Sequence, residues 1–265
     1  MRRSVRERTG RFVVEGPQGV REAVRYAATC VRDLYVTAEA ASRHGPDIVE
    51  PARRAGRFVH EVSPQVLAAM ADAQSPQGLL AVVDRSSTTL EAVLAASPRL
   101  LVLLAHVRDP GNAGTVIRAA DAAGADAVLV SSASVDVHSP KVVRSTAGSL
   151  FHLPVVTGLE IEPTLAALRA QAIRTYAADG NGSTVLSAAD LGRPHCWVLG
   201  NEAWGLPAPL LGACDEVVRV PIHGRAESLN LAMAATVCLY ASAGCLVPAG
   251  SVAPAASMRR ARSGG

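Results

Sequence analysis

Residues 100–105 form an uninterrupted apolar run, Leu-Leu-Val-Leu-Leu-Ala, and this run limits the possible folds more than any other part of the sequence. A strand that is apolar at every position must be covered on both faces, which is typical of a parallel sheet between two layers of helices. The segments that follow alternate between apolar strands and helical patterns, which predicts βαβ units. We therefore expect an α/β fold built on a parallel sheet.

The alternation predicts the elements of this main domain in order. After the first strand, strands are predicted at 127–131, around Val155, and at 173–178, 195–199 and 216–221. Helices are predicted at 113–123, 140–145, 163–171, 207–211 and 229–243. Strands separated by helices predict parallel βαβ units and a sheet covered on both faces.

A smaller α/β unit precedes this domain. Helices are predicted at 17–29, 47–55 and 64–71, the last with Ser63 as its N-cap and Pro64 in its first turn, and strands at 31–37, 58–62 and 78–83. A stretch rich in Ser, Thr and Pro then separates the two units. The expected organisation is a basic arm at 1–10, a small domain at 11–83, a linker at 84–98, the main domain at 99–246 and a flexible tail at 247–265.

Composition excludes several classes of protein. The chain has 265 residues, 49% of them hydrophobic, but no run near the roughly 20 apolar residues of a membrane-spanning helix. Its first residues are charged rather than apolar, so no signal peptide is indicated and we expect a cytoplasmic protein. The five cysteines lie far apart without a Cys-x-x-Cys pair, and the histidines lack metal-ligand spacing. We expect neither a disulfide framework nor a metal site.

Positive charge in this chain is almost entirely arginine, because Lys141 is the only lysine. Arginine suits bidentate contact with phosphate, although biased nucleotide composition would give the same excess. Arginines also crowd both ends of the chain, where they either contact nucleic acid or act as solubilising ends. These residues are Arg2, Arg3, Arg6, Arg8 and Arg11 at one end and Arg259, Arg260 and Arg262 at the other. Aromatic residues make up only 3%, so stacking of several bases is not expected to dominate any binding of nucleic acid.

Three polar runs lie where predicted strands and helices meet, at the kind of strand end where open α/β sheets bind ligands. The first, residues 112–118, follows the first strand and contains Asn112 and Arg118. Asn112 alone could be a turn or cap residue. Arg118 lies in an Ala-rich apolar stretch, where an arginine is costly unless it is paired or meets an anion. The spacing suggests that both side chains lean toward one side of the strand end.

The second run, Leu199-Gly-Asn-Glu202, directly follows a predicted strand. Glycines on either side of a carboxylate indicate a backbone that passes close to a ligand, but an ordinary glycine-rich turn with Glu202 as a helix charge is the alternative. The third run, Glu227-Ser-Leu-Asn230, begins a helix. Ser228 could simply cap that helix, or the helix start could bind an anionic group such as a carboxylate. No Gly-x-Gly-x-x-Gly follows any strand, so a dinucleotide site is not indicated.

In this order and spacing, the three runs resemble the signature motifs of the SpoU/TrmH family of RNA ribose 2′-O-methyltransferases, in the SPOUT superfamily. The resemblance covers residues 100–243 and includes Lys141 to Pro154 and Leu239-Tyr240. Residues 11–83, with Glu15-Gly16 and Ser75 to Gly78, resemble the substrate-binding domain in front of ribosomal-RNA members, whose fold is similar to small RNA-binding ribosomal proteins.

The resemblance implies a deep trefoil knot in the main domain, S-adenosylmethionine as cofactor, and a homodimer whose active sites combine residues of both subunits. By motif position, the catalytic residues are Asn112, Arg118, Glu202, Ser228 and Asn230. The cofactor-binding residues are Ala178, Gly200, Val220, Ile222, Ser228 and Leu229.

The implied reaction is methyl transfer to a ribose hydroxyl of large-subunit ribosomal RNA, with transfer RNA or a non-catalytic RNA-binding role in ribosome assembly as the alternatives. The family's proposed general base corresponds to Arg118. A guanidinium rarely gives up its proton, so we hypothesise that Arg118 orients a phosphate and stabilises the developing alkoxide, with Asn112 and Glu202 fixing its geometry.

Overall fold

A computed structural model describes residues 1–246 of the chain, and the predicted tail with Arg259, Arg260 and Arg262 lies outside the described residues. The small front unit is a four-stranded mixed sheet with helices. Its strands are β1 (Arg11–Glu15), β2 (Val31–Val36), β3 (Phe58–Glu61) and β4 (Leu79–Asp84), in the order β1-β4-β2-β3. Its helices are α1 (Arg3–Thr9), α2 (Pro17–Tyr26), α3 (Ala38–His44), α4 (Glu50–Arg54) and α5 (Pro64–Met70).

The front unit follows the predicted pattern from α2 onward except for α3, while α1 and β1 were not predicted. Ser63 caps α5 as expected and accepts a hydrogen bond from the Val66 N–H at 3.3 Å. The helix predicted at 47–55 is present as a wider helical turn, Gly45–Val49, followed by α4. The sequence pattern missed α3 because that helix buries only Ala40 and so has no apolar stripe.

The main domain is a seven-stranded sheet in which every paired strand runs parallel to its neighbour. Its strands are β5 (Leu100–Leu104), β6 (Ala127–Ser131), β7 (Val155–Leu159), β8 (Arg174–Ala178), β9 (Thr184–Val185), β10 (His195–Leu199) and β11 (Glu216–Arg219), in the order β7-β6-β5-β10-β8-β11-β9. Its helices are α6 (Leu90–Ala95), α7 (Pro110–Ala122), α8 (Pro140–Ser145), α9 (Ile161–Ala170), α10 (Ala208–Ala213) and α11 (Leu231–Leu246). The predicted parallel α/β fold is confirmed, and the trefoil knot stays a prediction.

The apolar run at 100–105 is buried on both faces, as its sequence requires. Leu100, Val102 and Leu104 contact one hydrophobic cluster, whereas Leu101 and Leu103 contact another on the opposite face. β6 and β10 are also buried at every position. These three strands form the centre of the sheet and fix the place where their carboxyl ends meet.

The segment predicted as a linker contains a helix. Thr89 caps α6 by accepting a hydrogen bond from the Ala92 N–H at 3.2 Å. Leu90 and Val93 are buried in the cluster that also contains Leu101 and Leu103. The apolar stretch that begins at Leu90 is therefore part of the main domain's core, and Thr89 before it is the N-cap of the helix.

The predicted basic arm is also folded, since residues 3–9 are helical. Arg6 is only 5% exposed, and it donates hydrogen bonds from Nε and Nη2 to Asp136 Oδ2 at 2.9 and 2.7 Å. Arg11 pairs with Asp84 at 3.2 Å. Arg6 is therefore buried in an intramolecular ion pair and is not available to bind nucleic acid. Arg2, Arg3 and Arg8 are exposed.

The front unit and the main domain share a hydrophobic core. Val143 on α8 is 5% exposed and lies in the cluster formed by Phe12, Val14 and other front-unit residues, with Phe151 packed against it. A Cβ atom at Gly148, where φ is +104°, would lie 2.4 Å from Glu22 Cγ on α2. Removal of the front unit would expose this apolar surface of the main domain, so the two units are not separable modules.

Charged residues reinforce the same contact. Arg144 on α8 lies 3.1 Å from Asp72 and 3.7 Å from Glu15, both in the front unit. His152 bridges the two units, 2.7 Å from Asp121 on α7 and 3.1 Å from Glu22 on α2. Burial alone would lower the pKa of His152, but hydrogen bonds with the two carboxylates outweigh burial and raise it.

All five cysteines are free, and burial raises the pKa of the Cys196 thiol. Within residues 1–246, no three His, Cys, Asp or Glu residues are grouped so that they could hold a metal ion. None of the helices described for this chain has the length and apolar character needed to cross a membrane.

Asp136 provides a pH-dependent test of the contact between the units. Burial alone would raise the pKa of its carboxyl, but hydrogen bonds from His138 and Arg6 outweigh burial and hold that pKa well below its usual range. A carboxyl whose folded-state pKa is lowered stabilises the protein above its unfolded pKa of about 3.9. This contribution is lost as the pH falls through the folded-state pKa.

We expect Asp136→Asn to lower the free energy of unfolding by about 3 kcal/mol near pH 7, because it leaves the buried Arg6 charge unpaired. The difference from the wild type should narrow below about pH 4. Urea unfolding across this pH range measures both effects. Glu39→Gln is the control, since Glu39 is 81% exposed in its pair with Arg43. Equal effects of the two variants at neutral pH would contradict the buried pair's role.

Candidate active site

The structure brings residues from all three sequence runs together at the carboxyl edge of the parallel sheet. Asn112 lies in the first turn of α7, after β5. Glu202 follows β10, which pairs with β5 in the sheet. Asn230 immediately precedes α11. Three segments far apart in the sequence therefore meet at one point.

Hydrogen bonds connect these three side chains. Asn230 Nδ2 donates to Asn112 Oδ1 at 3.0 Å, and Asn112 Nδ2 donates to Glu202 Oε1 at a longer 3.4 Å. Glu202 also accepts from the backbone N–H groups of Arg108 and Asp109, at 3.2 and 3.0 Å. The Glu202 carboxylate thus holds the β5–α7 loop while it orients the Asn112 amide.

Local sequence accounts for the orientation of each residue. Asp109 is the N-cap of α7 and accepts from the Asn112 N–H at 2.7 Å, with Pro110 in the first turn. Asn112 is therefore a helical residue rather than the cap. The Asn230 carbonyl Oδ1 accepts from the Ala232 N–H at 2.9 Å at the start of α11. This leaves the Asn230 amide nitrogen free to donate to Asn112, and Ser228 does not cap the helix.

The loop after β10 is held in a tight, fixed shape. Asn201 and Gly205 exchange two backbone hydrogen bonds of 2.9 Å, and Gly205 has a φ of +67°. A Cβ atom at Gly200 would lie 2.4 Å from the Gly205 carbonyl carbon, so only glycine fits there. The second run is therefore a tight turn in which Gly200 packs against the Gly205 backbone, and the predicted approach of this backbone to a ligand stays a prediction.

Asn201 is a site residue to which the sequence analysis gave no role. Its side chain is buried, with Nδ2 donating to the His106 carbonyl at 2.9 Å and Oδ1 accepting from the Ala203 N–H at 2.8 Å. Asn201 thus connects the loop after β10 to the loop after β5, and Glu202 connects the same two loops. The sequence did contain a signal for this role, because Asn201 directly follows Gly200. Asparagine side chains in turns often hydrogen-bond to the backbone two residues further on.

Arg118 does not join this network. Its side chain is exposed, and no residue within 1–246 forms a hydrogen bond or ion pair with it. Six helical residues turn through about 600°, which leaves Asn112 and Arg118 roughly 120° apart around α7. The expectation that the two lean to one side is therefore wrong. Asn112 and Glu202 bond to each other and do not fix the geometry of Arg118 in the same chain.

The residues predicted to bind a cofactor form two groups. Ala178, Gly200 and Val220 follow or end β8, β10 and β11, which are adjacent in the sheet. Ile222, Ser228 and Leu229 lie in the exposed loop before α11.

Ile222 and Leu229 are 38% and 39% exposed, although isoleucine and leucine are among the residue types most often buried. The six predicted residues offer backbone groups, apolar side chains and one hydroxyl, and none of them has a charged side chain. Such a lining fits a cofactor that is largely apolar around its sulfonium. The donor set therefore fits S-adenosylmethionine.

A cavity of about 500 Å³ extends beside this edge. Val220 and Pro221 line it from the loop after β11, and Val237 and Ala241 line it from α11. Of the predicted cofactor residues, only Val220 reaches this cavity. The remaining ones lie along the strand ends or in the exposed loop.

Comparison with protein families agrees with the domain division seen in the fold. Residues 99–240 match the SpoU rRNA Methylase family, and residues 1–81 match the MRM3-like substrate binding domain. The first match contains all three of the runs that form the hydrogen-bonded network.

Similar proteins extend over nearly the whole chain. The 23S rRNA (guanosine-2′-O-)-methyltransferase RlmB of Bordetella pertussis is 32% identical, covering 87% of this chain and 96% of the relative. The 23S rRNA (guanosine(2553)-2′-O)-methyltransferase RlmP of Bacillus subtilis is also 32% identical, covering 89% of each.

Solved structures agree with these relatives. An AdoMet-bound rRNA methyltransferase from Sinorhizobium meliloti is 28% identical with a TM-score of 0.80, covering 93% of this chain and 92% of that one. The SpoU methyltransferase AviRb from Streptomyces viridochromogenes, in complex with AdoMet, is 29% identical with a TM-score of 0.78, covering 92% of each. The resemblance seen in the three sequence motifs is confirmed: the chain belongs to the SpoU rRNA methylase family.

Proposed function

We propose that this protein transfers a methyl group from S-adenosylmethionine to a ribose 2′-hydroxyl of large-subunit ribosomal RNA, in the cytoplasm. The observation that carries the proposal is the junction of Asn112, Glu202 and Asn230, since it joins the three family motifs in one site. The named relatives act on 23S rRNA and match both the front unit and the main domain. A solved structure concerning 2-OH methylation on tRNA covers only 55% of this chain, which favours ribosomal over transfer RNA.

The cofactor-binding residues we propose are Ala178, Gly200, Val220, Ile222, Ser228 and Leu229. Bound S-adenosylmethionine supplies an electrophilic methyl carbon on a sulfonium. The exposed apolar side chains of Ile222 and Leu229 would be covered by the cofactor and would keep water from the methyl group. The rigid Gly200–Gly205 contact holds the backbone close to the bound molecule.

Catalysis in this proposal depends on position and charge. A new bond forms between the ribose oxygen and the methyl carbon as the carbon–sulfur bond breaks, and the hydroxyl proton passes to water. The Arg118 guanidinium orients an RNA phosphate and stabilises negative charge on the ribose oxygen. Asn112, Glu202 and Asn230 hold the loops that bring donor and acceptor into contact, which is worth up to roughly 7 to 11 kcal/mol for well-oriented groups. Ser228 presents its hydroxyl to the site from the exposed loop before α11.

We further infer that the protein acts as a homodimer in which Arg118 serves the site of the other subunit. Two features support this. Arg118 is exposed and lies on another face of α7 from Asn112. On α11, Met233, Val237 and Tyr240 are 55%, 42% and 55% exposed, and their spacing of four and three residues places them on one helical face. An apolar face of this kind is typical of a surface that another chain covers.

The direct test is transfer of labelled methyl groups to large-subunit rRNA, small-subunit rRNA and tRNA. We expect label in large-subunit rRNA, and we expect Arg118→Ala to lower the rate at least 100-fold, as loss of a charge-stabilising group typically does. Arg43→Ala is the matched control, because Arg43 is an exposed front-unit arginine paired only within its helix. Label in transfer RNA alone would overturn the substrate assignment.

Arg118→Lys separates the two roles considered for this residue. A lysine is a point charge and does not reproduce the planar guanidinium fork, so positioning by Arg118 predicts a large loss of rate without a shifted pH profile. Nearly full activity with a shifted pH profile would instead favour a titrating base.

Gly200→Ala tests the cofactor-binding loop. The added methyl group meets backbone atoms of Gly205 rather than a flexible side chain, so the loop must move. We expect the dissociation constant for S-adenosylmethionine to rise at least tenfold, measured by calorimetry. Gly212→Ala is the matched control, because a Cβ atom there meets nothing within 4 Å. Equal affinities of the two variants would contradict the proposed site.

Subunit complementation tests the placement of Arg118. Arg118→Ala and Glu202→Ala chains, co-expressed with different affinity tags and purified as mixed dimers, should regain about half of the wild-type rate, because a two-fold dimer then contains one intact site. Each variant alone should stay inactive. Mixed dimers without activity, or a monomeric active enzyme in sedimentation, would show that Arg118 acts within its own chain.

A further inference from the structure

Trp204 is an exposed aromatic residue beside the candidate site that no structural role explains. Its side chain is 53% exposed, and it belongs to none of the hydrophobic clusters of the described chain. It lies two residues after Glu202, in the tight loop that follows β10. The other tryptophan, Trp197, is fully buried in β10. An exposed indole at this position leaves a large apolar surface in water.

Hydrogen bonds fix the backbone of the loop that carries Trp204. Asn201 and Gly205 lie on either side of Trp204 in the sequence and exchange two backbone hydrogen bonds. The buried Asn201 side chain adds bonds to the His106 carbonyl and the Ala203 N–H. On a fixed backbone a tryptophan has only two side-chain torsions to restrict, so its ring loses little conformational entropy when a planar ligand binds.

Arg108 packs over one face of the Trp204 ring and leaves the other face open. Its guanidinium carbon lies 5.4 Å from the centroid of the Trp204 ring, within the range of a cation–π contact. The Arg108 backbone N–H also donates to the Glu202 carboxylate at 3.2 Å. The loop after β5 and the loop after β10 thus each contribute one planar group next to the same carboxylate.

We propose that Trp204 and Arg108 form a stacking platform for one RNA base, that of the methylated nucleotide or of its immediate neighbour. This inference rests on the proposed RNA methyltransferase function. Indole and guanidinium planes both stack on unpaired bases, and every base offers a π-face. The guanidinium adds positive charge that attracts the phosphate next to the base. With only two tryptophans, four tyrosines and three phenylalanines in the chain, a single stacked base agrees with its low aromatic content.

Tryptophan fluorescence provides a readout that does not depend on methyl transfer. Trp197 is shielded from solvent, so quenching by acrylamide reports on Trp204. Protein-free 23S rRNA should quench the fluorescence of Trp204. It should also protect the Trp204 fluorescence that remains from quenching by acrylamide. The Trp204→Phe variant, which keeps only Trp197, should show neither effect and serves as the control.

Kinetics should show the same contact. Trp204→Ala should raise the KM for 23S rRNA roughly tenfold, within the range measured for loss of one stacked base. Its dissociation constant for S-adenosylmethionine should not change, which verifies that the loop is intact. Trp204→Phe should restore most of the affinity, because a phenyl ring still stacks.

Three results would decide the matter. RNA-dependent quenching without methyl transfer would support the platform while overturning the proposed reaction. Methyl transfer with an unchanged KM in Trp204→Ala and no RNA-dependent quenching would overturn the platform. Protection of Trp204 that increases with protein concentration in the absence of RNA would assign the ring to a subunit interface and would also overturn it.

Discussion

The carboxylate of Glu202 is the interaction on which the candidate site depends. It accepts two backbone N–H groups from the β5–α7 loop and contacts the Asn112 amide, which in turn bonds to Asn230. The pairing of β5 with β10 makes this possible, because it places the ends of two strands separated by about 90 residues side by side. Without the carboxylate, two N–H groups and an amide would lose their partner, and the three loops would have no common anchor.

The same loops connect the site to the front unit through α7 and α8. A Cβ atom at Gly114 on α7 would lie 2.4 Å from Ser145 Cβ on α8, so the two helices are in close contact. α8 also carries Val143 into the front unit's core and Arg144 to its carboxylates. A substrate held by the front unit is therefore held at a fixed distance from the helix that carries Asn112 and Arg118. Rigid packing of this kind transmits position because protein interiors are close-packed.

Sequence patterns predicted the features that follow from local physics. Continuous apolar runs identified the central strands. The glycines around Asn201 predicted that the backbone approaches a ligand, which stays a prediction, whereas the structure shows Gly200 packed against Gly205. The helix α3 was missed because it buries one alanine, and α6 was read as linker because its apolar face is short. Side-chain partners far apart in the sequence gave no such signal. The burial of Arg6 against Asp136 therefore required the three-dimensional structure. The separation of Arg118 from Asn112 follows from helix geometry once Asn112 is known to lie inside α7.

The central claim is that this site methylates a ribose oxygen of large-subunit rRNA. The most direct measurement is mass spectrometry of nucleosides released from 23S rRNA after reaction with the purified enzyme and deuterated S-adenosylmethionine. The account predicts one deuterium-labelled 2′-O-methylnucleoside that is absent with Arg118→Ala. A label on a base, or a labelled ribose that persists in Arg118→Ala, would contradict it.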